Sequence, residues 1–113
     1  MTLPCTFGST AVPTRLVRSL KIIGSYEYEV EVECATKTFS DYTTLAAMAA
    51  PCGVTRLLSG KVKVTTLGTS GTLVLNGTTK TNCYIKDISA AEADGSQLGL
   101  WLFSITFVQD TST

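Results

Sequence analysis

The nine residues from Tyr26 to Cys34 read YEYEVEVEC, so that Tyr26, Tyr28, Val30, Val32 and Cys34 alternate strictly with Glu27, Glu29, Glu31 and Glu33. Successive side chains of a β-strand point to opposite faces, and a period of exactly two therefore predicts a strand with one dry and one wet face. A helix of the same sequence would scatter the glutamates around its circumference. Upstream, Leu16, Leu20 and Ile22 mix with Arg18 and Lys21, and Gly24-Ser25 interrupts the chain. That pattern predicts a second strand folded back on the first as a hairpin.

Downstream, Ser40 is a candidate N-cap, Asp41 suits the positive end of a helix dipole, and Tyr42 to Ala50 is rich in Ala, Leu and Met before Pro51 and Gly53. This predicts one short helix. Tyr42, Leu45, Met48 and Ala49 then fall on one side of it, as a helix lying across a sheet requires. A strand is expected over 56–67, with Gly60 marking a bulge or a close backbone approach. Leu73 and Leu75 lead into Asn76-Gly77, the dipeptide best suited to a two-residue type I′ turn, with the return strand over 79–88. Residues 90–99, small and acidic, read as a loop. The strand over 100–108 carries Trp101, Phe103, Ile105 and Phe107 on one face and Leu102, Ser104, Thr106 and Val108 on the other.

The predicted fold is mainly β, an antiparallel β-sandwich or small barrel of about six strands with one short flanking α-helix. Residues 1–14 are expected to be an extended N-terminal arm and residues 15–113 a single β-sandwich domain. At 113 residues, 44% hydrophobic and 16% charged, the chain lies far from the composition of disordered proteins and is long enough for a self-sufficient core.

Nine basic and nine acidic residues cancel, which disfavours nonspecific attraction to nucleic acid or to an anionic membrane. A neutral, weakly charged surface gives little colloidal repulsion and suits a protein covered by partners. The apolar stretches fall short of the ~20 residues that cross a bilayer, and the N-terminus lacks a basic start and a continuous hydrophobic run; a soluble, unexported protein is expected. Asn76-Gly77-Thr78 matches a glycosylation acceptor only formally, and the hairpin reading takes precedence.

No histidine is present, so the usual general base near neutral pH is missing, and no Ser or Cys stands in a sequence pattern that would activate it. An enzyme is not expected. The Gly68–Gly71 stretch GTSG has no following lysine or helix start to cradle a phosphate, and reads as a turn. Cys5, Cys34, Cys52 and Cys83 form no CxxC pair and read as buried free thiols, a disulfide or zinc site being the alternative. No cofactor and no metal are expected.

Glu27, Glu29, Glu31 and Glu33 are the one unusual constellation, four like charges spaced about 6.5–7 Å along one strand face. One account is a solvated face whose repulsion is relieved by Lys21 or Arg18 across the hairpin. Another is a row lining a channel through which a polyanion slides, since carboxylates offer a phosphate backbone no counterion release. A divalent-cation site is the third, disfavoured because a straight strand does not converge its ligands.

The order of elements resembles that of the tail-tube fold of tailed bacteriophages, shared by tail tube, distal-tail and tail-completion proteins. The resemblance rests on a strand pair, a short helix, then LLSGKVKV at 57–64, LVLNGTTKTNCYIKDIS at 73–89 and the aromatic strand LWLFSITFVQDT at 100–111. It implies a virion structural protein of the tail, made in the host cytoplasm, that self-associates into rings, typically hexameric and stacked, bound to other tail proteins and passing DNA without specific binding. The glutamate row would then line the bore, and the N-terminal arm would reach a neighbouring ring or simply fray. The chain is shorter than many tube proteins, and the family does not predict its four cysteines. A capsid decoration protein forming trimers and a small carbohydrate- or peptide-binding β-sandwich are the alternatives.

Whatever the assembly, Val30→Asp or Phe103→Asp places an unpartnered carboxylate on the predicted dry face. Either is expected to abolish cooperative unfolding, read by circular dichroism during thermal or urea denaturation.

Overall fold

A computed structural model describes residues 5–8, 10–22, 28–75, 77–93 and 99–112, with the backbone alone at 15–22, 28 and 78. Among the described residues ten strands and one helix follow in order: β1 (Cys5–Phe7), β2 (Thr10–Val12), β3 (Thr14–Ile22), β4 (Tyr28–Thr36), α1 (Phe39–Ala46), β5 (Gly53–Arg56), β6 (Val62–Thr65), β7 (Gly71–Leu75), β8 (Thr78–Ile88), β9 (Glu92–Ala93) and β10 (Trp101–Gln109). The main sheet is antiparallel in the order β2-β1-β7-β8-β10-β4-β3, with β9 added beside β10, while β5 and β6 form a separate two-stranded sheet. The main sheet curls into a half-barrel, within the predicted class of small β barrel or sandwich.

Two strands at opposite ends of that order, β2 and β3, are one stretch of chain broken at Pro13. Thr10 to Val12 pairs with β1, whereas Thr14 to Ile22 pairs with β4, and the Pro13 carbonyl accepts a hydrogen bond from the Ala35 amide at 3.0 Å. Proline has no N–H to give a ladder, so a corner between two pairings is where it fits. Much of the expected arm over 1–14 thus forms strands of the sheet: Cys5, Phe7 and Val12 are buried in its core. Residues 1–4 and 9 of that segment lie outside the described residues, as does the Gly24-Ser25 break of the first hairpin.

The core face is set where β10 meets β4. Phe103, Ile105 and Phe107 stand opposite Cys34, Val32 and Val30, all nearly inaccessible to solvent. Ile85 and Leu73 extend this layer across β8 and β7, and the Phe7 ring reaches Phe107 at a centroid distance of 5.5 Å. Burying each such side chain stabilises the fold by roughly 1.5–3 kcal/mol before entropy is counted. The helix closes one side through buried Leu45 and through Tyr42, whose ring meets Phe103 edge-on at 5.1 Å.

Local elements depart from the sequence reading in three places. The helix runs Phe39–Ala46 with Thr38 as N-cap, without a side-chain capping bond, and not from a Ser40 cap to Ala50. Its last turn tightens, the Met48 amide bonding the Leu45 carbonyl at 3.1 Å and Ala49 that of Ala46 at 3.2 Å, and Ala50 then donates to Ile85 of β8. The single strand expected over 56–67 is a hairpin, with Gly60 in its turn at φ 87°, a conformation open to glycine at no steric cost. Within the loop expected over 90–99, Glu92–Ala93 adds a two-residue strand to β10. The β7–β8 hairpin follows the expected two-residue connection, Leu75 pairing with Thr78 around Gly77, while Asn76 lies outside the described residues.

The small sheet is fastened to the end of β10 by a carboxylate. Asp110 Oδ2 accepts the Val64 amide at 2.9 Å, and its Oδ1 accepts the amide and hydroxyl of Ser112 at 2.8 and 2.6 Å. Thr111 adds reciprocal bonds with the backbone of Val62. Partial burial pushes the Asp110 pKa up, but these hydrogen bonds and the charge of Lys63 outweigh it and hold it below the ordinary carboxylate value. A depressed folded-state pKa contributes stability that is complete above the unfolded pKa and lost as pH falls through the folded one. Asp110→Ala is accordingly expected to cost about 1–3 kcal/mol at neutral pH. That difference from the parent should shrink in acid below the ordinary aspartate range, as read from urea midpoints across pH.

Candidate functional site: an acidic outer face

The pleat of β4 that buries Val30, Val32 and Cys34 turns Glu29, Glu31 and Glu33 to the outer face, where all three are half-buried. Glu27 lies outside the described residues. Register places Glu29 opposite Val108, Glu31 opposite Thr106 and Glu33 opposite Ser104 on β10. On the other side, Lys21 stands in register with Glu29 and Ser19 with Glu31, while Arg18 falls at an irregularity of the pairing. The outer face of the 101–108 strand is largely covered: Val108 is buried, and Leu102, Ser104 and Thr106 are half-buried.

Two further charged residues join this face from β8. Ile85 pairs with Phe107 and Ile88 is in register with Ile105, so Lys86 and Asp87 together span the single position of Thr106. Such a two-against-one bulge turns both side chains of the bulged strand outward. Lys86 reaches across β10 to Glu29, its Nζ 2.9 Å from Oε1, with the Glu29 side chain only 15% exposed. This cation comes from β8, two strands away; the side chains of Lys21 and Arg18 lie outside the described residues. Nothing in the alternation of residues 26–34 pointed to Lys86 or Asp87, because their placement depends on β8 pairing with β10 and on a bulge there. Glu92, on β9, is exposed farther along the same margin of β10, where β9 pairs at Leu102.

The thiols of Cys5 and Cys34 are poor nucleophiles. None of the four cysteines forms a disulfide; Cys5, Cys34 and Cys83 are buried and Cys52 is half-buried. Burial, with the neighbouring Cys5 and Glu33, pushes the Cys34 thiol up to about 12, and burial raises Cys5 against a hydrogen bond with Thr14. Near neutrality both remain protonated, whereas the thiolate is the reactive form. Among the described residues no group of three or more Cys, Asp or Glu converges as a metal site, and no helix is long and apolar enough to cross a membrane.

Chemically, the face presents carboxylates in a line on a paired strand, one of them, Glu29, joined to Lys86. Comparison with protein-family models, with curated proteins and with solved structures finds no match to this chain.

The Lys86–Glu29 pair neutralises one carboxylate of the row more than it holds the fold together. In a Glu29→Gln/Lys86→Met double-mutant cycle, the coupling read from denaturant midpoints is expected to be about 1 kcal/mol or less, since the lysine is partly solvated.

Proposed function

We propose that this protein is a virion structural protein, a tail tube or tube-end subunit of a tailed bacteriophage, which assembles with copies of itself into rings around a DNA-conducting channel. The observation that carries the reading is the acidic outer face. Glu29, Glu31 and Glu33 stand in line on a strand whose other face is the core. A duplex passing such a face meets like charge, releases no counterions and does not adhere. Mechanically the residues act as a lining: their positions are fixed by the β-ladder, and no bond is made or broken.

Self-association is supported by the sheet's edge. Strand β3 is nine residues long and ends the sheet, and among the described residues its outer edge meets no other strand. A long open edge is a template for pairing with another chain. The resemblance in element order to the tail-tube fold agrees with this reading. Partners are then copies of the chain and other tail proteins, with DNA in transit, and no cofactor is required.

A second reading, a small carbohydrate- or peptide-binding β-sandwich, is favoured by one observation. Phe39 is 44% exposed at the start of α1 and meets Trp101 edge-on at 4.9 Å, which gives an aromatic surface to stack on.

Changing Glu27, Glu29, Glu31 and Glu33 together to lysine is expected to leave the β-rich circular dichroism spectrum in place. Particles carrying the change should retain DNA in the tail and lose infectivity by more than ten-fold, because a lining of cations holds phosphates. Normal DNA ejection from such particles would contradict the channel assignment. Binding of an oligosaccharide by the unmodified monomer, with quenching of Trp101 fluorescence, would favour the second reading instead.

A further inference from the structure

The charges of this neutral chain are segregated. From Tyr42 to Lys86 there are five basic residues, Arg56, Lys61, Lys63, Lys80 and Lys86, and no acid; from Asp87 to Thr113 there are four acids, Asp87, Glu92, Asp94 and Asp110, and no base. Three of the basic residues belong to the β5–β6 hairpin, with Arg56 and Lys63 exposed. At its apex the Leu57 amide bonds the Lys61 carbonyl at 2.8 Å and the Gly60 amide bonds the Leu57 carbonyl at 3.0 Å. That closed turn holds Leu58 outward, fully exposed at 110% of its reference area. Strand β6 of the hairpin is clamped by Asp110 at Val64 and by Thr111 at Val62, next to the turn. A rigid arm therefore ends in a leucine between an arginine and a lysine. Leu67 is as fully exposed, and single exposed leucines are ordinary; Leu58 is set apart by its place at the apex of a clamped basic hairpin.

The complementary surface lies elsewhere on the same molecule. Asp87 and Glu92 are exposed along the β8–β9 margin of β10, the side away from β4. They stand opposite Thr106 and Leu102, four positions apart on β10, hence roughly 13 Å apart.

We infer that the β5–β6 hairpin of one copy, with Leu58 at its tip and Arg56 and Lys61 beside it, docks on the Asp87–Glu92 margin of a second copy. The inference rests on the self-assembly reading above and names one of its joints. Knob and receptor are different parts of the chain, so the contact is head-to-tail: each copy offers one of each, and repetition closes a ring or continues a stack. At Asp87 the margin lies one strand from the β4 glutamates, with Thr106 between Asp87 and Glu31. Opposite charge on the two surfaces sets orientation and makes the contact sensitive to salt. A nucleic acid or an anionic membrane could also attract the basic arm, but neither would call for the acidic margin.

The test is sedimentation velocity of the full chain over a range of concentration and salt, with thermal melting run alongside. Lys61→Glu with Leu58→Ser in one protein, and Asp87→Lys with Glu92→Lys in another, are each expected to weaken self-association about ten-fold while melting like the parent. Glu92→Lys alone, which leaves the hydrogen bonding of Asp87 intact, keeps the test open if the double change misfolds. Mixing Lys61→Glu protein with Glu92→Lys protein should restore association towards the parental level. Self-association unchanged by both natively folded variants would overturn this joint and leave the self-assembly reading standing. A parent that stays monomeric at every concentration would overturn both. Loss of binding to anionic phospholipid vesicles or a DNA duplex in the hairpin variant, with self-association unchanged, would also overturn the joint and identify the arm's partner as a polyanion.

Discussion

Everything else in this fold depends on the pairing of β10 with β4. Phe103, Ile105 and Phe107 face Cys34, Val32 and Val30, so two strands far apart in sequence agree, residue for residue, on which face is dry. The period of a strand is two, and a slip of one residue in either would carry the glutamates into the core and the aromatics into solvent. Burying three carboxylates costs far more than any other arrangement of the same residues could recover. That penalty fixes the register, and the register in turn places Glu29, Glu31 and Glu33 in a line.

How much of this was legible in the sequence follows from the range of each interaction. The two-faced β4, the Gly77 hairpin and the inward Phe103, Ile105 and Phe107 were all readable, because period two and turn chemistry are local. The helix was found, but its ends were displaced: Thr38 takes the cap position and Asp41, instead of serving only the helix dipole, accepts the Thr36 hydroxyl at 2.6 Å. Long-range features were not readable. The strands formed by Cys5–Phe7 and Thr10–Val12 are too short to show a period, and only their pairing with β7 and with each other makes them part of the sheet. Lys86 and Asp87 reach the acidic face through a bulge that no local pattern marks.

The distribution of charge matters more than its sum. A net charge of zero gives no overall attraction to polyanions. Acids lie on the β4 face and the β8–β9 margin, and bases on the β5–β6 hairpin. An open β3 edge and a fully exposed leucine at a clamped turn belong to the same picture. Among the described residues the thiols of Cys5 and Cys34 are held protonated, and Glu29, Glu31 and Glu33 lie along one strand.

The claim at the centre of this account is that the protein works by contact with copies of itself. Native mass measurement of the purified chain at high concentration and low salt tests it most directly. The expected result is a closed oligomer of defined stoichiometry, six copies for a tail ring, with larger stacked species as concentration rises. A single species at the mass of one chain, 12.0 kDa, throughout would contradict the account.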